Sequence, residues 1–243
     1  MLKEVEILID QIRGEIKNSK FLEYDIRYDY YIYLVDILSV FKRGIIISNQ
    51  LESTAPNEVA SHRNSLNRSL VIDSWCLFEF CITRISESVL TNEEQNDLKE
   101  GKIKEVLKLV SENNLTDSSK DKLNKLLVEK YLARVSTSRK CDKLFKICVC
   151  YKRDIKNDKA FLHFISTLRN TMHGIFIFYG SDFEYEFFDI TTHFKNDAYV
   201  QHSAPPGFQF HLKLSIELMN VFSQIIESIE YSEKIKYPIM QDS

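Results

Sequence analysis

Residues 69–89 read SLVIDSWCLFEFCITRISESV, and this stretch decides the class of fold. Its apolar residues recur at steps of four, three, four, three and four, which is the period of a helix. They are Val71, Trp75, Phe78, Ile82, Ile85 and Val89. Further apolar residues widen the stripe, so we expect a central helix that is contacted on several sides. Glu79 falls within it and needs a partner if it is buried.

Similar patterns on both sides predict a mainly α-helical protein. Helices are predicted over 2–18, 25–48, 99–113, 117–135, 139–152, 159–173 and 209–234, with a connection over 50–58. Asn157 or Asp158 is expected to cap the helix over 159–173, and Gly174 to end it. The 243 residues include only 6 Gly and 4 Pro, which favours long helices over a many-turned β fold.

One segment has the period of a strand. Residues 175–179 and 184–190 flank the turn-forming sequence Gly180-Ser181-Asp182 and predict a β-hairpin, and a short third strand can follow near 198–201. The predicted fold is therefore a helical bundle with a small β-hairpin inserted before the last helix. We divide it into an N-terminal helical hairpin over 1–52, which can pack on the core, and a helical domain over 53–243 with the hairpin at about 175–201.

The charge is unevenly distributed. The net charge of −3 lacks the global basic signature of a constitutive nucleic-acid binder, yet residues 139–159 hold eight basic and three acidic residues. Such a stretch either attracts phosphates or is a solvated helix face. The candidate RNA-binding residues are Lys140, Lys143, Lys146, Lys152 and Arg153.

Other patterns narrow the function classes. The five cysteines form no zinc-ligand spacing, and nucleotide-hydrolase, dehydrogenase and zinc-protease motifs do not occur, so we expect neither a metal nor a cofactor. An odd cysteine count, an acidic N-terminus unlike a signal peptide and no apolar run near the ~20 residues of a membrane span predict a cytoplasmic protein without membrane contact.

The best clue to function is the segment over 168–174, which reads LRNTMHG. Arg169 and His173 are four residues apart, so they share one face of the predicted helix. Arginine binds phosphate through two donors, and histidine transfers protons near neutral pH, which suits metal-free cleavage of RNA through the ribose 2′-hydroxyl. Alternatively, two cationic groups in the last turn only meet the negative end of the helix dipole.

This segment resembles the signature of the HEPN superfamily, in which an Arg, often followed by Asn, precedes a His near the end of a helix. The helix over 69–89 also resembles the family's earlier core helix, which often carries an acid. The resemblance implies a helical bundle, commonly a homodimer, and a metal-independent endoribonuclease of the hydrolase class. It implies that His173 is the general base or acid, that Arg169 binds the phosphate, that Asn170 orients it and that Glu79 holds Arg169.

The resemblance also implies a setting, either a toxin–antitoxin pair or antiviral defence, with a cognate antitoxin or a defence-system subunit as partner. Other members of the family are non-catalytic. In this chain three residues separate Arg169 from His173, where the family has four to six. This shorter spacing favours the alternative function, an interaction or sensor module that binds a protein or nucleic-acid partner.

Overall fold

The computed structural model describes residues 1–19, 25–99, 116–118 and 135–229. Over these ranges the chain is mainly helical, with a small antiparallel sheet before the last helix, which confirms the predicted fold class at that level. The labelled helices are α1 Leu2–Ser19, α2 Ile26–Thr54, α3 Pro56–Val89, α4 Thr137–Ile147, α5 Ile155–His173 and α6 Phe208–Ser228. Residues 92–99 are also helical. The helices predicted over 99–113 and 117–135 lie almost entirely outside the described residues.

The central helix α3 is 34 residues long and begins earlier than its apolar stripe predicted. The expected connection over 50–58 is wrong, because α2 continues to Thr54 and only Ala55 separates it from α3. Pro56 suits this junction because its fixed φ fits a first helical turn. Backbone N–H groups in that turn have no acceptor within the helix, so the proline costs no hydrogen bond. As its wide stripe predicted, α3 packs against α2, α4, α5 and α6.

The two N-terminal helices belong to the same hydrophobic core as the rest of the described chain. Tyr30 of α2 stacks on Phe222 of α6 with ring centroids 3.8 Å apart. Beside it, the hydroxyls of Tyr31 and Ser223 are hydrogen bonded at 2.9 Å. The boundary that we placed after residue 52 thus falls inside the last turn of α2, and the N-terminal hairpin packs on the core.

The sheet region differs from the predicted hairpin in its pairing. The strands are β1 Ile177–Phe178, β2 Phe183–Phe187, β3 Ile190–Phe194, β4 Ala198–Tyr199 and β5 Gln201–His202. The hairpin joins β2 to β3, β5 pairs with β3, and β1 pairs with β4. The expected pairing of 175–179 with 184–190 is therefore wrong, whereas the short strands near 198–201 are present.

Aromatic packing explains the register of the hairpin. Phe183 lies opposite Phe194, and their rings stack at 4.4 Å. On the next inward position, Tyr185 stacks on Phe164 of α5 at 4.6 Å. The chain reverses at Phe188-Asp189, which both have positive φ, as a tight two-residue hairpin turn requires. The hairpin thereby covers one side of α5.

Candidate functional site

Helix α5 carries the Arg169–His173 segment, and its start differs from the prediction. The Asp154 side chain, rather than Asn157 or Asp158, caps the helix by accepting hydrogen bonds from the backbone N–H groups of Lys156 and Asn157. Asp158 instead lies buried inside the first turn, where it binds neighbouring side chains. The helix therefore begins about one turn earlier than predicted.

The end of α5 lies at His173, as predicted, and it is closed by backbone hydrogen bonds. The Gly174 N–H lies 3.0 Å from the Thr171 carbonyl oxygen, and the Phe176 N–H donates to the same oxygen at 2.6 Å. Gly174 does not take the left-handed conformation expected of it, since its φ is −92°. Ile175 and Phe176 take it instead, at φ of 59° and 63°, which is uncommon for a β-branched residue such as Ile175.

The motif residues lie on the solvent side of α5. Leu168 and Met172 are buried in the core, whereas Asn170 and His173 are exposed and Arg169 is half-buried. On a helix, positions 169 and 173 are neighbours on one face. Residues 169 and 173 therefore share one face of α5, as the sequence predicted, and the side chain of His173 is exposed to solvent.

The guanidinium of Arg169 is held without an acid. Its Nη1 donates to Asn170 Oδ1 at 3.0 Å, and its Nη2 lies 3.8 Å from Cys76 Sγ on α3. Its Nε is buried and makes no hydrogen bond. Within the described ranges no carboxylate forms an ion pair with Arg169, so its positive charge is available to an external anion.

Glu79 does not hold Arg169, contrary to what the resemblance implied. It accepts a hydrogen bond from the Thr137 hydroxyl at 2.5 Å. The reason is that α4 packs beside this part of α3 and places Thr137 and Lys140 near the carboxylate. Asn170, rather than Glu79, accepts a hydrogen bond from the guanidinium, whereas its expected role in orienting the phosphate stays a prediction.

Lys140 is wrong as an RNA-binding residue. Its exposed fraction is 0%, and its Nζ donates to Thr83 Oγ1 at 2.7 Å. Burial lowers the pKa of Lys140, and the charge of Glu79 opposes that effect. Lys140 is buried because of the rotation of α4 about its axis, which places Lys140 between Thr137 and Leu144 on the buried face.

Two more of the predicted basic residues are paired within the chain. Arg153 binds Asp158 with an Nη2 to Oδ1 distance of 2.7 Å and also binds Glu217, and the hydrogen bonds with Asp158 raise the pKa of Arg153. These three groups line a cavity of about 410 Å³ beside the hairpin. The Nζ of Lys143 lies 3.8 Å from Asp97 Oδ2. The charges of Arg153 and Lys143 are therefore largely offset.

Lys146 and Lys152 are the members of the predicted basic set that remain exposed. Neither forms an ion pair with any residue that the structure describes. The free positive charge of this region is consequently much smaller than the count over 139–159 suggested.

The sequence did not reveal the apolar surroundings of the motif. Ile175 and Phe176 follow Gly174 and are exposed. Tyr179 and Tyr199 lie exposed at the β1–β4 ladder. The segment over 175–179 was interpreted from its apolar composition alone, which does not distinguish a buried strand from an exposed one. We call these four residues the apolar rim.

Three further findings bear on function. Among the residues that the structure describes, no three His, Cys, Asp or Glu side chains are grouped so that they could hold a metal ion. In the same residues, no helix has both the length and the apolar character of a membrane span. In comparisons with known proteins, no family model, no curated protein and no solved structure matches this chain.

Proposed function

We propose that this protein is a metal-independent endoribonuclease of the HEPN type, acting in a toxin–antitoxin or antiviral defence setting. One observation carries the proposal. Arg169 has no carboxylate partner among the described residues, and it shares one face of α5 with the exposed imidazole of His173. A cation and a proton-transfer group placed side by side and open to solvent suit a phosphodiester substrate.

The chemistry follows from these two groups. A neutral His173 takes the proton of the ribose 2′-hydroxyl, and the 2′ oxygen then attacks the adjacent phosphorus. The bond to the 5′ oxygen breaks, and that oxygen takes a proton as it leaves. Arg169 stabilises the charge that develops on the phosphoryl oxygens, and Asn170 keeps the guanidinium in place.

A homodimer would supply the second proton-transfer group. In one subunit His173 acts as the base, and the partner copy provides an imidazole that protonates the leaving oxygen. Lys146 and Lys152 are the exposed cations that guide the RNA, since Lys140 is buried and Arg153 and Lys143 are paired.

Cleavage of a 5′-labelled single-stranded RNA by the purified protein in EDTA tests the proposal. We expect His173→Ala to lower the rate by about 10²–10⁴-fold and Arg169→Ala by about 10²–10³-fold. His163→Ala is the matched control, because His163 is an exposed histidine on the same helix and its loss should leave the rate unchanged. The products should carry a cyclic phosphate. Inhibition by EDTA, or equal rates for wild type and His173→Ala, would refute the mechanism.

Expression in cells tests the setting. Wild type should slow growth and degrade total RNA, His173→Ala should do neither, and co-expression of a cognate antitoxin or defence subunit should restore growth. Growth arrest by His173→Ala to the same extent as by wild type would separate toxicity from RNA cleavage.

The apolar rim favours a second candidate, a non-catalytic module that binds a protein partner beside the motif. Exposed aromatic side chains are typical of protein interfaces. In that case the wild type cleaves no RNA with or without its partner. Tyr179→Ser and Tyr199→Ser would then weaken partner binding in a pull-down with that partner, whereas His163→Ala would not.

A further inference from the structure

Helix α2 exposes an apolar stripe on the side that does not face the core. The exposed fractions are 55% for Tyr33, 54% for Val40 and 46% for Ile47. These residues are spaced by seven, which is close to two full turns, so they lie in one line along the helix. At 1.5 Å per residue the line is roughly 21 Å long. We call it the α2 stripe.

Two opposite charges flank the α2 stripe on one side. Asp36 and Arg43 are also seven residues apart, and both are exposed. On a helical wheel both lie on the same side of Val40. Neither has a hydrogen bond or an ion pair among the described residues, whereas Lys143, Arg153 and Lys159 of the stretch over 139–159 are each paired with an acid. Their charges are thus available to a partner.

A two-fold axis through Val40 makes this surface complementary to itself. If a second α2 runs antiparallel across the axis, Val40 meets its own copy, and Tyr33 lies opposite the copy of Ile47. The same operation places Asp36 beside the copy of Arg43, and Arg43 beside the copy of Asp36. In antiparallel helix pairs, flanking residues at one heptad position face each other in this way, so two ion pairs form per assembly.

We propose that the α2 stripe is an interface with a second copy of this chain, paired antiparallel about Val40. An apolar line bordered by complementary charges is the pattern by which helices select a partner and its direction. A parallel pairing gives no such match, because it carries the copies of Asp36 and Arg43 to the opposite side of the interface, where neither charge meets its complement. The surface also differs from the Arg169–His173 face, since α2 packs on α1 and α3 and the motif lies on α5.

Charge exchange tests this geometry, with the mass measured by light scattering and the dissociation constant by sedimentation equilibrium. Val40→Glu places two carboxylates on the two-fold axis and should halve the mass of the assembly. Asp36→Arg alone and Arg43→Asp alone should each weaken association by about ten-fold or more, because each creates two like-charge contacts. The double variant Asp36→Arg with Arg43→Asp restores both pairs and should return to within about three-fold of wild type.

Matched controls keep the result unambiguous. Lys156→Asp reverses an exposed charge on α5 and should leave the mass unchanged. All substituted side chains are exposed, so the helical circular dichroism should stay at the wild-type value, and the melting temperature should fall only for the variants that dissociate. A wild type that is monomeric at about 100 μM, an assembly insensitive to Val40→Glu, or a double variant that is no better than the single variants would each overturn the proposal. Because Val40 lies on α2 and the motif lies on α5, Val40→Glu should change the mass and leave the RNA cleavage rate at the wild-type value, so the two proposals can fail separately.

Discussion

Acidification should destabilise this protein through His211, a buried histidine at the start of α6. Only 6% of the residue is exposed, and its Nδ1–H donates to the Gly207 carbonyl at 2.8 Å. Burial, opposed by the hydrogen bond to the Gly207 carbonyl and aided by the nearby His202, lowers the pKa of His211 to about 4. Replacing His211 with Gln keeps an amide donor for the carbonyl and removes the titration.

The sign and size of the effect follow from the two pKa values. In the unfolded chain His211 takes up its proton near pH 6.5, whereas in the folded protein it does so only near pH 4. Between these values the unfolded state binds more protons, so the free energy of unfolding falls as the pH falls. Each pKa unit corresponds to about 1.4 kcal/mol, so the loss amounts to roughly 3 kcal/mol by pH 4.

Urea unfolding at a series of pH values from 8 to 4 measures this loss. Carboxylates titrate in both proteins, so the difference between wild type and His211→Gln isolates the histidine. We expect that difference to be constant above pH 7 and to change by about 2–3 kcal/mol in favour of the variant by pH 4. A difference that stays constant over the whole range would show that His211 has the same pKa in the folded and unfolded states, and it would refute the reasoning.

Two substitutions in the helical core test the packing. In Gly44→Ala the new Cβ would lie 2.5 Å from Cδ1 of Leu66, so we expect a loss of about 1–3 kcal/mol in urea unfolding; an unchanged midpoint would contradict this contact. Thr83→Val removes the hydroxyl that accepts a hydrogen bond from buried Lys140 and should cost about 1–3 kcal/mol in thermal unfolding. Thr83→Ser keeps the hydroxyl and should recover most of that loss, which a merely steric role of Thr83 would not predict.

Local periodicity predicted those elements whose apolar spacing is unambiguous. The stripe from Val71 to Val89 predicted the core-facing side of α3, and the i, i+4 spacing placed Arg169 and His173 together on α5. The α2–α3 junction was missed because a single Ala55 ends one helix and the next begins at a proline, so the apolar period is barely interrupted. A local pattern cannot distinguish such a sharp bend from a longer connection.

Contacts between distant segments could not be predicted in this way. The turn signal at Gly180-Ser181-Asp182 does not close the hairpin, because Phe183 and Phe194 stack on each other and contact His163 and Phe164 of α5 in a pairing whose turn contains no glycine. The count of basic residues near Lys140 ignored the phase of α4, which decides whether a lysine reaches water. Likewise the partner of Glu79 depends on where α4 packs, and the spacing within α3 carries no information about that.

The closed end of α5 affects what a ligand must supply when it binds. Helix ends commonly fray because their last carbonyls lack partners, but here the Thr171 carbonyl accepts from both Gly174 and Phe176, and the strands that follow anchor the chain. The backbone beneath Arg169 and His173 is consequently ordered before any ligand arrives. A ligand that bound this face, as proposed above, would restrict side-chain rotamers but little of the main chain, so a few contacts would suffice for measurable affinity.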